Sequence, residues 1–356
     1  MPQTQTANGE ANMSKVVTFG EVMMRLSPPG FQRFVQARSF DVVYGGGEAN
    51  VAAMLAQLGV PTEFVTRLPK NELGDACIAY LRSFGIGTSH IIRGGSRIGI
   101  YFLEMGAAQR PSKVIYDRDR SAIAEIQPGM VDWNSVFADA SWFHWTGITP
   151  AISESLAATC LEGIKAAKSR GITVSCDLNY RKKLWNWGKK ASEVMPEMVA
   201  LADIAVGNEE DAEQVFGIKA PEVDVEAGRL SASAYEYVCR ELASRFPNLK
   251  LVAITLRGSI SASHNTWSAV LWDGHQLHIG PQYDIVPIVD RVGGGDAFVA
   301  GLIYGMLNFP EDPERVLSFA VAASCLKHSV FGDFNVLSLE DVEALLKSGG
   351  TGRVQR

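Results

Sequence analysis

The sequence predicts an α/β protein: a three-layer α/β/α body with a mainly parallel central sheet, plus a small β-sheet lid. Three observations carry this expectation. Short apolar runs alternate with longer segments of helical period, as they do when a parallel sheet is covered on both faces. Between Arg97 and Tyr116 the alternation stops, and two strand-like runs, GIYFLE and VIYD, follow one another with no helix between them. Two triple-glycine runs, at 45–47 and 293–295, each stand directly before an apolar helical segment.

Taken in order, residues 1–14 are polar and read as a mobile tail, so folding is expected to begin near Val16. Val16–Met23 reads as the first strand. Arg25–Val43, with aromatic and β-branched residues, prolines and no helical period, joins 97–120 to make the lid. In VAAMLAQLG, Val51, Met54, Leu55 and Leu58 fall on one helical face before Gly59. Further strands are expected at Glu63–Leu68, Trp142–Trp145, Ile172–Leu178, Ile204–Gly207 and Leu251–Leu256. The helix Ser153–Lys168 has an acid in its first turn, bases in its last, and Gly171 beyond its end. The acidic stretch Ala220–Ser233 lacks a period and reads as a surface insertion. Ala297–Leu307 is apolar nearly all round, as in a buried helix, and Gly301 and Gly305 would let a neighbour approach closely. One body spanning 15–348 accounts for these elements, with 349–356 as a second tail.

With 33 basic and 39 acidic residues the formal charge is −6, and no Lys/Arg block would track a nucleic-acid backbone or an anionic membrane. Apolar stretches stop short of the roughly 18 to 20 residues that a membrane span needs, and no secretory signal precedes Val16. A soluble, cytoplasmic protein is expected. The five cysteines are scattered, without a C-x-x-C pair, and read as buried free thiols; His144, between Phe143 and Trp145, reads as a hydrogen-bonded core or pocket histidine.

The run DRVGGGDAFVAGLIYGM, 290–306, fits neither the P-loop nor the dinucleotide fingerprint. Gly293, Gly294 and Gly295 fall at a helix N-terminus, where free N–H groups and the dipole attract an anion and absent side chains let a phosphate approach the backbone. Asp296 stands beside that hole, where the positive helix end should keep it ionised. It could take a proton from an attacking hydroxyl while the amides stabilise the transferring group, which is phosphoryl transfer to an alcohol. A tight turn with an N-cap aspartate explains the motif alone equally well. The second turn, with Gly46, Gly47 and Asn50 at another helix start, suits hydrogen bonds to sugar hydroxyls and shifts the weight towards a site.

GGGEANVAAMLAQLG and DRVGGGDAFVAGLIYGM together resemble the two signature regions of the ribokinase-like (PfkB) carbohydrate kinases, and the order of elements agrees from Val16 onwards. The resemblance implies the ribokinase-like fold, ATP and Mg²⁺, transfer of the γ-phosphoryl group to a sugar hydroxyl, Asp296 as catalytic base and Gly293–Gly295 as anion hole. Arg291 and Gly294 stand where the family usually has Thr and Ala. NEEDAEQVFG, from Asn208, resembles the family's Asn-x-x-Glu segment, with Asp211 in the place of Glu, organising magnesium through water. TLRGS, with Thr255, Arg257 and Gly258, resembles the strand-loop that borders the nucleotide; Arg257 could reach a phosphate or face solvent.

For the acceptor, YDRDRSA, CDLNYRKKLW and FGDFN look most like the branch acting on 2-keto-3-deoxygluconate. Carried across, Tyr101, Tyr116, Arg118, Arg181 and Asp333 would surround an acid sugar, with Asn179 and Arg181 also on the nucleotide side. Guanidinium groups pair well with a planar carboxylate, although surface pairs with Asp117, Asp119 or Asp177 would explain the same arginines. A fructokinase or other neutral-sugar kinase is the second reading, since Gly20, Glu21 and GGGEAN suit it too. A sugar-binding protein without transferase activity is a third. The lid sheet is expected to pair with a second copy as a homodimer.

Overall fold

The computed structural model describes residues 15–221 and 232–349. Most of the expected insertion at Ala220–Ser233, and the two tails apart from Gly349, lie outside the described residues. Among these, nine strands form the main sheet. Its order is Leu277–Ile279, His264–Trp272, Leu251–Ser261, Ile204–Gly207, Thr173–Asp177, Ala140–Thr146, Lys15–Phe19, Thr62–Val65, with Tyr283–Ile285 pairing His264–Trp272 off that path. From Leu251–Ser261 to Thr62–Val65 every neighbour is parallel; the hairpin at the other edge is antiparallel.

Helices cover both faces because successive strand residues point opposite ways. Phe143, Trp145, Val174 and Cys176 pack with Leu156 and Ile164 of the helix Glu154–Lys168. Trp142, Ile204 and Val206 pack with Phe298 and Leu302 of the helix Gly294–Asn308 and Val316 of the helix Pro313–Lys327. These last two helices touch closely, since a Cβ on Gly301 would lie 2.8 Å from Ala320 Cα and one on Gly305 would lie 3.1 Å from Val316 Cα. Ser153 Oγ caps its helix by accepting the Leu156 N–H at 3.1 Å. His144 is a core histidine, its Nδ1 2.9 Å from Ser175 Oγ and its pKa lowered to about 3 by burial. The five thiols are free; Cys77, Cys160, Cys176 and Cys239 are buried and Cys325 half-buried. Among the described residues no helix is long and apolar enough to cross a membrane.

The small sheet has four strands in the order Asp41–Gly45, Met23–Ser27, Gly99–Glu104, Lys113–Asp117. Two expectations need correction. Val16–Met23 is not one strand: pairing in the main sheet ends at Phe19 and Met23 opens a strand of the small sheet. The apolar run hides the break because residues on both sides of it are buried. The TLRGS segment is not a strand end and loop either, since the strand Leu251–Ser261 continues through it, paired with His264–Trp272.

Candidate active site

The two glycine turns, far apart in sequence, meet at the carboxyl ends of the parallel strands, where α/β sheets place their ligands. The first turn leads into the helix Gly47–Gln57, and its Gly46 N–H donates to Asn50 Oδ1 at 3.2 Å. Asn50 Nδ2 then donates to Asp296 Oδ2 at 2.6 Å. Gly46 must lack a side chain because a Cβ there would collide with the Glu21 carbonyl.

At the second turn Gly293 has a φ of +83° and its missing Cβ would strike the Asp333 carbonyl, so glycine is required twice over. A Cβ on Gly294 would come within 2.9 Å of the His328 ring, whose Nδ1–H donates to the Ser324 carbonyl at 2.8 Å. The imidazole therefore fills the place a methyl group would take. Gly295 faces open space, with nothing within 4 Å of its Cβ direction. Helical bonding begins with Ala297 N–H to Gly293 O at 2.9 Å, which leaves the Gly295 and Asp296 amides without an acceptor inside the helix.

Asp296 is half-buried where the two helix starts meet. Burial raises its pKa to about 6, opposed first by the Asn50 hydrogen bond; the Asp333 charge raises it further, and the charges of Arg181 and Lys327 lower it. Two more carboxylates stand near. Asp177 ends the strand Thr173–Asp177, and its pKa is pushed well up by burial and then by Asp211 and Asp296. Asp211 is buried and not a solvated acid: Oδ1 accepts the Tyr180 N–H at 2.8 Å and Oδ2 the Asn208 N–H at 3.0 Å, while Asn208 Oδ1 accepts the Asp211 N–H at 2.8 Å. Between them Asn179 has a φ of +34° and a buried Oδ1 without a hydrogen-bond partner among the described residues. Arg181 is exposed and donates to the Tyr180 carbonyl at 3.0 Å.

Thr255 Oγ1 donates to the Gly207 carbonyl at 3.4 Å, Gly258 pairs with Thr266, and Arg257 faces solvent. Arg291 donates to the Ser261 and Ala262 carbonyls at 3.3 and 2.7 Å.

The lid contributes a polar wall. Tyr101 and Tyr116 are cross-strand partners with ring centroids 6.0 Å apart, and Tyr101 OH donates to Asp333 at 2.6 Å. Arg118 is buried and pairs with Glu21, which also accepts from Ser121 Oγ at 2.7 Å. The surface pairing considered for it is therefore wrong: Asp117 belongs to Arg97, at 2.7 Å.

Sequence reasoning missed several supporting residues. Arg25, Asp290 and Lys327 lie buried beneath the glycine loop, and Asp177 on the cleft floor. Glu48 is buried too; its Oε1 accepts from Thr146 Oγ1 at 2.9 Å and Thr149 Oγ1 at 2.6 Å, and burial raises its pKa to about 7. The available signal was a charge inside an otherwise apolar run, as in MMRLS for Arg25 and SCLKH for Lys327.

Residues 13–338 match the pfkB family carbohydrate kinase profile. A 2-dehydro-3-deoxygalactonokinase of Haloferax volcanii is 34% identical over 339 residues, covering 95% of this chain and 98% of the relative. A 2-dehydro-3-deoxygluconokinase of Thermoproteus tenax is 28% identical over 94% of this chain and 95% of its own length. The solved structure of a Thermotoga maritima 2-dehydro-3-deoxygluconokinase superposes with a TM-score of 0.88 at 49% identity, covering 94% of this chain and 99% of that one. The chain, with its mainly parallel sheet, its separate small sheet and its two meeting glycine turns, belongs to the pfkB family of carbohydrate kinases.

Proposed function

We propose that the protein transfers the γ-phosphoryl group of ATP to the terminal hydroxyl of 2-keto-3-deoxygluconate. The observation that carries this is the meeting of the two glycine turns: Asp296, bonded to Asn50, sits beside two helix-start amides that have no helical acceptor. The names of the similar proteins support the 2-keto-3-deoxy sugar acid as acceptor. Arg181, which is exposed, and Arg118, which Glu21 holds on the lid side, would be the cations nearest to a sugar carboxylate.

The acceptor hydroxyl gives its proton to Asp296 as its oxygen attacks the γ-phosphorus, and the bond from that phosphorus to the bridging oxygen breaks to release ADP. Asn50 holds the carboxylate oxygen that is not receiving the proton. The amides of Gly295 and Asp296 face the charge that builds on the transferring group, and the open space above Gly295 fits close approach of a phosphate. A divalent cation suits Asp177, Asp211 and the unpartnered Asn179 Oδ1, all oxygen donors in a region of excess negative charge. Bound there, it would neutralise phosphate charge. Thr255, Arg257 and Gly258 would border the nucleotide on the far side. Tyr101, Tyr116 and Asp333 would close over the sugar, with the small sheet as a lid that excludes water.

An exposed outer face on the small sheet, with Val42 52% and Ile115 55% exposed, suits a homodimer that covers it. A coupled assay of ADP release on a panel of acid and neutral sugars tests the acceptor, with 2-keto-3-deoxygalactonate as the epimeric control. Turnover of fructose or ribose without turnover of either keto-acid would overturn the substrate assignment.

A further inference from the structure

We propose that Arg25 is a positioning residue, tying the acceptor side of the cleft to the glycine loop through one buried guanidinium. The reaction it serves is the one proposed above, so this inference rests on that reading.

Arg25 lies in the lid strand Met23–Ser27, directly opposite Tyr101 in the neighbouring strand. Its side chain is fully buried. Nη2 is 2.6 Å from Asp290 Oδ2, Nη1 donates to Asp333 Oδ1 at 3.0 Å, and Nε donates to Ser27 Oγ at 2.8 Å. Each carboxylate then shapes a different part of the cleft. Asp290 Oδ1 accepts the Val292 N–H at 3.0 Å and Oδ2 accepts the Gly332 N–H at 3.1 Å, which fixes the chain leading into Gly293. Asp333 accepts from Tyr101, and its backbone carbonyl is what a Cβ on Gly293 would strike. The Arg25 group also lies 5.2 Å from the Phe331 ring centre, and Lys327 adds a second buried cation facing the same two carboxylates.

Stability alone does not account for such a cluster, because well-packed apolar groups often replace a buried ion network at no loss. Geometry does: a planar fork holds two carboxylates at fixed directions, which a lysine point charge does not. Whatever holds Tyr101 and Asp333 against the sugar is thereby held in register with the amides that face the phosphate.

The test uses the full chain and compares R25K with wild type on whichever panel sugar the wild type phosphorylates. A wrong acceptor would show in the wild-type arm and leave this comparison intact. In R25K the expected result is a fall in kcat of about 10- to 100-fold, since small misplacements of reacting groups cost that much, with the ATP KM little changed. The Y101F effect on sugar KM should also be smaller in the R25K background than in wild type. An R25K protein that only melts earlier, keeps wild-type kcat and KM, and shows additive Y101F effects would reduce Arg25 to a structural ion pair. If R25K does not fold, D290N decides, since it keeps the acceptor for Val292 but weakens the pair. The same kcat loss supports the proposal, and wild-type turnover in D290N overturns it.

Discussion

Asn50 and Asp296 are joined by a hydrogen bond of 2.6 Å across the cleft, and this bond brings the start of one helix to the start of another. The carboxylate is thereby oriented before any substrate arrives. D296N should lower kcat by about 10²- to 10⁴-fold, the usual contribution of a positioned base, with the fold intact by circular dichroism. Turnover within tenfold of wild type would remove Asp296 from the reaction.

The same pair sets a pH dependence. With the Asp296 pKa raised to about 6, mainly by burial, kcat/KM should fall as pH drops through that value. The proton is held more tightly in the folded protein than in the unfolded chain, so protonating this group favours the folded state; activity should be lost before structure is. Because the Asn50 bond lowers the pKa, N50A should move the limb to higher pH. A limb that stays in place in N50A would assign it to another group, such as Glu48.

The glycine loop offers a contrast between fold and chemistry. G293A forces a side chain into a φ of +83° and against the Asp333 carbonyl, and should cost about 1–3 kcal/mol of stability. G295A projects into open space, so its melting temperature should match wild type, and if phosphate approaches there as proposed, ATP use should fall at least about tenfold. Paired denaturation curves and ATP titrations check both.

Arg118 is the buried cation of the lid, held by Glu21. R118K keeps the charge but loses the fork, so KM for the sugar acid should rise about tenfold with the ATP KM nearly unchanged. Equal changes in both constants, measured by steady-state kinetics, would argue against a sugar-side role.

For the lid face, a charge placed at Val42 or Ile115 should convert a dimer to a monomer in sedimentation velocity. A wild-type monomer at working concentration would show that the face stays uncovered.

Much of this protein was legible in its residues. The alternation of apolar runs with helical segments dictated a parallel sheet covered on both faces, because only a doubly buried strand can be apolar on both sides. The glycines dictated the turns, since Gly293 must take a positive φ and Gly46 has no room for a Cβ. What lies between strands was less legible: an apolar run such as Val16–Met23 looks the same whether it stays in one sheet or crosses to another.

Which groups meet was decided only by the tertiary structure. The sequence placed Asp296 at a helix start and suggested an ionised acid. The enclosure that raises its pKa is made by chain segments remote from it, and so is the Asn50 amide that opposes it. Arg118 reads in the sequence as one arginine among aspartates, yet its partner is Glu21 from another strand end. Arg25 reads as an ordinary charge in a strand, yet it is fully buried between Asp290 and Asp333. Periodicity and backbone sterics act between near neighbours along the chain, so the sequence carries them. Desolvation and charge pairing depend on what the folded chain brings together, and only three dimensions supply that.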